Sequence, residues 1–132
     1  MKLLIVDDCI EVVNILTSFL ELSGYKIDKA LDGIEAVELL RNNSYDVVIT
    51  DAEMPRMGGV ELCKFIKSDF PAIYIIGISG SFYALAELKA AGADICFSKP
   101  FHIDEIEKVI ENLHVDYHVH ADIHDSYRLP GH

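Results

Sequence analysis

Short apolar runs alternate along this chain with segments of helical periodicity, and this alternation restricts the fold more than any other feature of the sequence. Three runs, at residues 3–6, 47–50 and 73–78, are nearly continuous and rich in Ile and Val, as is typical of parallel strands covered on both faces. The runs at residues 25–30 and 95–97 are alternating or brief, as is typical of sheet edges. The sequence therefore predicts five strands.

A helical pattern follows each run, with apolar residues every three or four positions. Leu16 and Leu20, for example, follow the first run in this way. Gly24 and Gly92 lie where helix ends commonly need a left-handed residue. Strict alternation of strand and helix implies right-handed crossovers and one parallel sheet. The predicted fold class is therefore α/β, with a flavodoxin-like, doubly wound sheet of five parallel strands in the order 2-1-3-4-5 and helices on both faces.

The charge balance limits the kinds of partner. Acidic residues outnumber basic ones by 22 to 11, which gives a formal net charge of -11. Nucleic acids and anionic membranes need clustered Lys and Arg, so we expect neither as a direct partner. The first apolar run is too short for a secretory signal or a membrane span, which predicts a cytoplasmic location. Proteins and cations are the expected partners of a single domain of this size.

Polar side chains follow four of the five runs, at the point where each strand should end. Asp7 and Asp8 follow the first run, Asp51 the third, Ser79 the fourth and Lys99 the fifth, whereas the second run contributes nothing obvious. In doubly wound folds, ligands bind beyond the carboxyl ends of the strands. We therefore expect these five side chains to meet in one crevice.

Each of these residues also has a purely structural interpretation. Asp8 would cap the first helix, Asp51 would begin a turn, and Lys99 would be a solvated surface charge. Carboxylates ~5 Å apart, however, repel by ~3 kcal/mol per pair at an effective dielectric constant of roughly 20, so a cluster needs something that offsets the repulsion. Mg²⁺ does so, because it takes carboxylates and waters as ligands and leaves positions open for phosphate oxygens.

This chemistry assigns a role to each side chain. Asp8 and Asp51 are predicted to bind the cation directly, and Asp7 through water. Phosphoryl transfer needs an in-line nucleophile and positive charge for the equatorial oxygens, which Asp51, the metal and Lys99 would supply. Ser79 would hydrogen-bond the transferred phosphate.

Four stretches of the sequence resemble the motifs of response-regulator receiver domains, in the family's order and at its usual separations: LLIVDD, DVVITDAEMPRMGG, IIGISG and GADICFSKPF. The resemblance covers residues 1–113 and leaves 114–132 as a C-terminal tail. It implies a phosphoacceptor signalling domain of a two-component phosphorelay, not an enzyme, which assists its own phosphorylation and dephosphorylation. The implied partners are a sensor histidine kinase or a phosphotransfer protein, a downstream protein, and a second copy of the chain in a homodimer.

The resemblance also implies how the site works. Asp51 is implied to accept the phosphoryl group from a phosphohistidine. The cation, Mg²⁺ or Mn²⁺, is implied to bind Asp7, Asp8, Asp51 and the main-chain carbonyl of Glu53.

Further features of the family involve the last two strand ends. Lys99 is implied to pair with the phosphate and to precede a cis bond to Pro100, and Ser79 is implied to move toward the phosphate and rearrange the following loop. The family usually has Tyr or Phe three residues before the lysine, where this chain has Cys96. Phe97 is adjacent, but neighbouring strand residues point to opposite faces, so it is not a substitute. Phosphorylation is expected to survive this change, whereas output coupled to the aromatic ring is in doubt.

The cysteines give no sign of disulfides or of a zinc site. Cys9, Cys63 and Cys96 are odd in number, widely spaced and without a CxxC pair. They are predicted to be reduced and mostly buried, with Cys9 at the start of a helix.

The tail has the periodicity of a strand. Apolar and polar residues alternate over 115–123, which predicts an added strand on a sheet edge, with an unstructured tail as the alternative. His118, His120 and His124 raise the alternative of a transition-metal site, although no caging pattern accompanies them.

Three other functions compete with a phosphorylated receiver. A haloacid-dehalogenase-type phosphatase also uses an aspartate nucleophile, but places it after the first strand in a DxD arrangement, where this chain has Asp7-Asp8-Cys9. A flavodoxin-like FMN carrier needs a Ser/Thr/Gly-rich phosphate loop there, where two carboxylates repel the ligand. A receiver that has abandoned phosphorylation normally lacks an acid or the lysine, and this chain retains them all.

Overall fold

The computed structural model describes residues 1–113, which fall in two compact units, Met1–Phe101 and a second that begins at His102. The first unit alternates five strands and four helices: β1 Lys2–Val6, α1 Ile10–Leu22, β2 Lys26–Ala30, α2 Gly33–Asn42, β3 Val47–Asp51, α3 Gly59–Asp69, β4 Tyr74–Ser79, α4 Phe82–Ala91 and β5 Ile95–Ser98. The described part of the second unit forms a helix, α5, over residues 103–113.

The five strands form one parallel sheet in the order β2-β1-β3-β4-β5, which confirms the predicted fold class. The strand bounds differ from the prediction by at most one residue at either end. Tyr25, for example, precedes β2, because its N–H bonds to the Leu20 carbonyl at the end of α1.

The sheet register places the strand ends side by side. Val6 pairs with Thr50, so the residues that follow β1 adjoin the end of β3. Asp51 pairs with Ile78, and Ser79 pairs with Ser98. The polar residues that follow β1, β3, β4 and β5 are therefore brought to one edge by the backbone alone.

Both faces of the sheet are covered. One apolar cluster joins alternate strand residues to α2, α3 and α4, and includes Leu4, Val48, Ile75, Leu40, Leu62 and Leu88. The strand residues between them, such as Leu3 and Ile49, point to the opposite face. Helix α1 packs there, against β1 and β2, with Leu16 and Leu20 buried.

Two helices of the first unit end at left-handed glycines, as the sequence indicates. Gly24 follows α1 with φ of 94°, and Gly92 caps α4 with φ of 119°. None of the helices within residues 1–113 combines the length and the apolar character that a bilayer span requires. The two tail predictions, an added strand at 115–123 and a histidine metal site, lie outside the described residues.

Candidate functional site

Three carboxylates meet beyond the carboxyl ends of β1 and β3. One oxygen from each of Asp7, Asp8 and Asp51 lies within 4.8 Å of the others. Asp7 is 0% exposed and Asp51 is 7% exposed, whereas Asp8 is open to solvent. Two of the three carboxylates are therefore buried, and the third is exposed.

Lys99 contributes a positive charge to this cluster. Its Nζ lies 3.2 Å from Asp7 Oδ2 and 3.2 Å from Asp51 Oδ1. The interpretation of Lys99 as a solvated surface charge is therefore wrong. The bond from Lys99 to Pro100 is cis, as the family resemblance implies.

The pKa values at the site show how its charges oppose one another. Burial raises the pKa of Asp51, and the Asp7 carboxylate adds to this effect, although Lys99 acts against it. Burial alone would lower the pKa of Lys99, but the Asp51 and Asp7 carboxylates outweigh it and hold that pKa above its ordinary value. Lys99 is thus a stable cation, and one cation beside three acids leaves a net negative site.

Asp7 and Asp8 have different surroundings at the start of α1. The N-cap of α1 is Cys9, without a side-chain cap bond, so the interpretation of Asp8 as a helix cap is wrong. Asp7 Oδ1 instead accepts the Cys9 N–H at 2.9 Å, while its Oδ2 accepts from Lys99. Both oxygens of Asp7 therefore have protein partners.

A polar cleft of about 310 Å³ opens beside Asp51 and is lined by Asp51, Glu53, Ser79, Gly80, Ser81 and Lys99. Ser79 is buried, and its Oγ accepts the Ser81 N–H at 3.1 Å. Ser81 in turn caps α4 by accepting the Ala84 N–H at 3.3 Å. The hydroxyl of Ser79 is thus connected to the start of α4 through the loop that follows β4.

A second cavity, of about 270 Å³, lies at residues 43–45 and 70–73, beside the amino ends of β3 and β4. Its lining is apolar and includes none of the predicted site residues. The polar cleft, in contrast, is lined by three of the predicted site residues, Asp51, Ser79 and Lys99.

The cysteines lie near the site or behind it, and all three are free thiols. Cys63 is buried, and burial raises its pKa to about 12. Cys9 and Cys96 are only half-buried, so the prediction of mostly buried thiols holds fully for Cys63 alone. The Cys96 Sγ lies 3.8 Å from the Leu85 carbonyl oxygen of α4, which shows that this side chain points to the helix.

One ion pair near the site was missed from the sequence. Asp32, two residues beyond the end of β2, is buried, and its Oδ2 lies 2.7 Å from the Nε of Arg56 in the loop after β3. Asp32 also caps α2 by accepting the Glu35 N–H. The spacing Asp32-x-x-Glu35 is a capping signature, and it was the available signal that the second strand end is structured too.

Parallel order 2-1-3-4-5, with acids and a lysine gathered beyond the carboxyl ends of the strands, defines the class of receiver domains in two-component signalling. A family model described as the response regulator receiver domain matches residues 3–111. The chain belongs to this family and is the receiver domain of a two-component response regulator.

Known relatives agree with this assignment. The response regulator MprA of Mycobacterium sp. (strain KMS) is 36% identical over 108 residues, which is 80% of this chain and 46% of that protein. The transcriptional regulatory protein CpxR homolog of Haemophilus influenzae is 37% identical over 107 residues, again 80% of this chain and 46% of that protein. The chain thus spans about half the length of the curated relatives it matches.

A solved structure shares the fold. The response regulator protein TrrA from Thermotoga maritima, in complex with Mg(2+)-BeF, superimposes with a TM-score of 0.78 at 31% identity. The match covers 85% of this chain and 97% of that one.

Proposed function

We propose that Asp51 accepts a phosphoryl group from the phosphohistidine of a sensor kinase or phosphotransfer protein, with Mg²⁺ or Mn²⁺ bound beside it. The observation that carries the proposal is the position of the Asp51 carboxylate. It lies within 4.8 Å of oxygens from Asp7 and Asp8 and 3.2 Å from the Lys99 ammonium. One phosphoryl group could thus contact a nucleophile, a cation held by the carboxylates and a fixed positive charge.

The donor set fits a hard divalent cation. Carboxylate and carbonyl oxygens suit Mg²⁺ and Mn²⁺, and the site has an excess of negative charge for the cation to offset. Asp8 and Asp51 would bind the ion directly, together with the Glu53 carbonyl. Asp7 would act through water, because both of its oxygens already accept hydrogen bonds. The solved TrrA structure, which shares this fold, is a complex with Mg(2+)-BeF.

The two oxygens of Asp51 are not equivalent in this arrangement. Lys99 pairs with Oδ1 in the unphosphorylated site. One Asp51 oxygen would bind the cation, and the other is the oxygen we assign as the nucleophile. Its attack forms the O–P bond as the P–N bond of the phosphohistidine breaks, and the released imidazole takes a proton from solvent. The bound cation would neutralise charge on the phosphoryl oxygens. Lys99, released from Asp51, would then pair with a phosphate oxygen.

Ser79 would carry the signal from Asp51 to the surface. Its hydroxyl accepts the Ser81 N–H in the unphosphorylated structure. Turning toward a phosphate would break this bond and free the loop that caps α4. The first residues of α4, Phe82 and Tyr83, are exposed, so a downstream protein or a second copy of the chain would meet the changed surface there.

The geometry argues against the competing functions. In a dehalogenase-type phosphatase the nucleophile would be Asp7, but here that carboxylate is buried and bonded to both Lys99 and the Cys9 N–H. The FMN interpretation would put a phosphate against three carboxylates. A receiver that has abandoned phosphorylation would not need Asp7, Asp51 and Lys99 assembled.

The wider context of the domain is also part of the proposal. We place the receiver domain at residues 1–113, with 114–132 as a tail, in a cytoplasmic protein. The domain would assist its own phosphorylation and dephosphorylation without turning over a separate substrate. The cognate kinase and the output belong to the whole protein, and relatives about twice as long as the chain indicate that a further domain is a candidate output.

Incubation with acetyl phosphate tests this proposal, with intact mass as the measurement. We expect wild type to gain one phosphoryl group in Mg²⁺ and almost none in EDTA, and Asp51→Asn to gain none in either. Asp69→Asn removes an exposed acid at the end of α3 and should behave as wild type. Labelling of Asp51→Asn, or no labelling of wild type, would contradict the proposal.

A further inference from the structure

Arg56, in the loop after β3, has a strained backbone. Its φ is 64°, and it is the one non-glycine residue with positive φ in the part of the chain that the structure describes. A bond from the Met57 N–H to the Pro55 carbonyl, 2.7 Å long, closes a three-residue turn around it. The left-handed region costs an L-residue about 1–2 kcal/mol, so surrounding contacts must hold Arg56 there.

A buried acid beyond β2 supplies the first of these contacts. Asp32 is 5% exposed, and its Oδ2 accepts from the Nε of Arg56 at 2.7 Å. Its Oδ1 accepts the Glu35 N–H at 2.9 Å and so fixes the carboxylate to the first turn of α2. Although Arg56 is largely exposed, its partner is rigid and shielded from water, unlike the partners of an ordinary surface ion pair.

The next residue of the loop supplies the second contact. The Gly33 N–H, at the start of α2, donates to the Met57 carbonyl at 2.9 Å. The backbones approach so closely that a Cβ on Gly33 would lie 2.7 Å from that carbonyl oxygen. Two successive loop residues are thus bound to the start of α2.

The loop is also closed at its base, next to the acid cluster. The Gly59 N–H donates to the Ala52 carbonyl at 2.8 Å, so residues 53–58 form a loop with both ends fixed. Glu53 lies in this loop and lines the cleft beside Asp51. The position of the Glu53 carbonyl therefore depends on how the rest of the loop is held.

We propose that Arg56 and Asp32 are positioning residues for the metal site: their ion pair holds the 53–58 loop so that the Glu53 carbonyl faces the cation. This inference rests on the proposed function, because it assumes that a divalent cation binds beside Asp51. The inference adds a residue that follows β2 to a site whose other residues follow β1, β3, β4 and β5. Coupling through such supporting groups is a known way to tune metal affinity.

A Mn²⁺ titration tests the inference without phosphorylation. Electron paramagnetic resonance of the free ion measures how much Mn²⁺ the protein has bound. We expect Arg56→Gly and Asp32→Asn each to weaken Mn²⁺ binding by about threefold to tenfold. The double variant should be no weaker than either single one, because both remove the same ion pair. Arg56→Lys keeps a cation and should show intermediate affinity.

Two controls separate positioning from general stability. Lys2→Ala removes the Lys2–Asp28 ion pair at the opposite end of the sheet and should leave Mn²⁺ affinity unchanged. Arg56→Gly relieves the backbone strain while it removes the ion pair, so its metal-free melting temperature should stay near that of wild type. Unchanged Mn²⁺ affinity in Arg56→Gly and Asp32→Asn would overturn the inference. Failure of wild type to bind Mn²⁺ would overturn the proposed function as well.

Discussion

Lys99 is the residue on which the unphosphorylated site depends most, since one ammonium serves two buried carboxylates. Lys99→Ala would leave Asp7 Oδ2 buried without its partner. We expect the free energy of unfolding in EDTA to fall by about 1–3 kcal/mol, the usual cost of a buried group that loses its hydrogen bond. Saturating Mg²⁺ should restore part of this loss, because the cation replaces the missing positive charge. Urea unfolding in EDTA and in Mg²⁺ measures both values.

Lys64→Ala, on the exposed side of α3, is the control for that experiment and should change little in either condition. A loss in Lys99→Ala that is the same with and without Mg²⁺ would contradict the account. Phosphate should still attach to the variant, but the response of the loop after β4 to beryllofluoride should weaken.

Asp32 provides a test that depends on pH. The hydrogen bond from Arg56 is the main cause that holds the pKa of Asp32 below its ordinary 3.8. Because the native pKa is the lower one, the ion pair stabilises the fold above 3.8, and this contribution is lost as the pH falls through the native value. Asp32→Asn keeps an oxygen to cap α2 but loses the charge.

We therefore expect wild type to exceed Asp32→Asn in unfolding free energy by about 1 kcal/mol at neutral pH, a modest value because Arg56 is exposed. The difference should shrink below pH 3.8. Urea titrations along a pH series measure it. A difference that stays constant down to the acid limit would show that the charge of Asp32 contributes nothing.

The sequence predicted which residues would meet, but not how they would pair. Asp7, Asp51 and Lys99 each follow an apolar run, so their convergence was predictable from strand order alone. The sequence pattern gives no side-chain distances, so it could not show that Lys99 bonds to Asp7 as well as to Asp51. Arg56 was missed for a similar reason, because its partner and its positive φ are properties of the folded loop.

At the scale of elements, the start of α3 lies tightly against the end of β3. The backbone of Gly59, the first residue of α3, lies against Asp51 and Ala52, and a Cβ there would collide with the Asp51 carbonyl oxygen. Gly59→Ala must therefore displace backbone, which we expect to destabilise the protein by about 1–3 kcal/mol. The move would also shift Asp51, so labelling by acetyl phosphate should slow.

Gly80→Ala is the matched control for the effect on stability. A Cβ on Gly80 meets nothing within 4 Å, so this variant should unfold within about 0.5 kcal/mol of wild type. Urea unfolding of the two variants side by side makes the comparison. Equal stability of both would show that the contact between α3 and β3 is looser than the structure has it.

The elements were the most predictable level of this protein. The buried strands β1, β3 and β4 stand out as continuous apolar runs, and the edge strands as weaker ones. Strand ends were less predictable, because hydrogen bonds outside the strands set them, as at Tyr25. Helix caps were mixed: Gly24 and Gly92 were identified correctly, whereas α1 begins at an N-cap, Cys9, that makes no side-chain cap bond.

For the molecule as a whole, a bound cation should stabilise the fold. The site has three acids and one lysine, and the chain has a net charge of -11. Repulsion between these negative charges favours unfolding, and bound Mg²⁺ would reduce that repulsion in the folded state. At a hundred times its dissociation constant, a ligand of the native state adds about 2.7 kcal/mol. We expect the melting temperature of wild type to rise with Mg²⁺ in this way.

Ionic strength must be matched in that experiment, because any salt screens a highly charged protein. NaCl of equal ionic strength gives the non-specific effect, and Asp8→Asn should lose most of the Mg²⁺-specific part. A rise that NaCl reproduces, or that Asp8→Asn retains in full, would contradict a metal site at Asp8.

Asp51, and no other acid, should take the phosphoryl group. Reduction of the phosphorylated protein with borohydride converts an aspartyl phosphate to homoserine, which peptide mass spectrometry then locates. We expect homoserine at position 51 alone, in a yield that depends on Mg²⁺. Homoserine at Asp7 or Asp8, or a phosphorylated protein that yields none, would contradict this expectation.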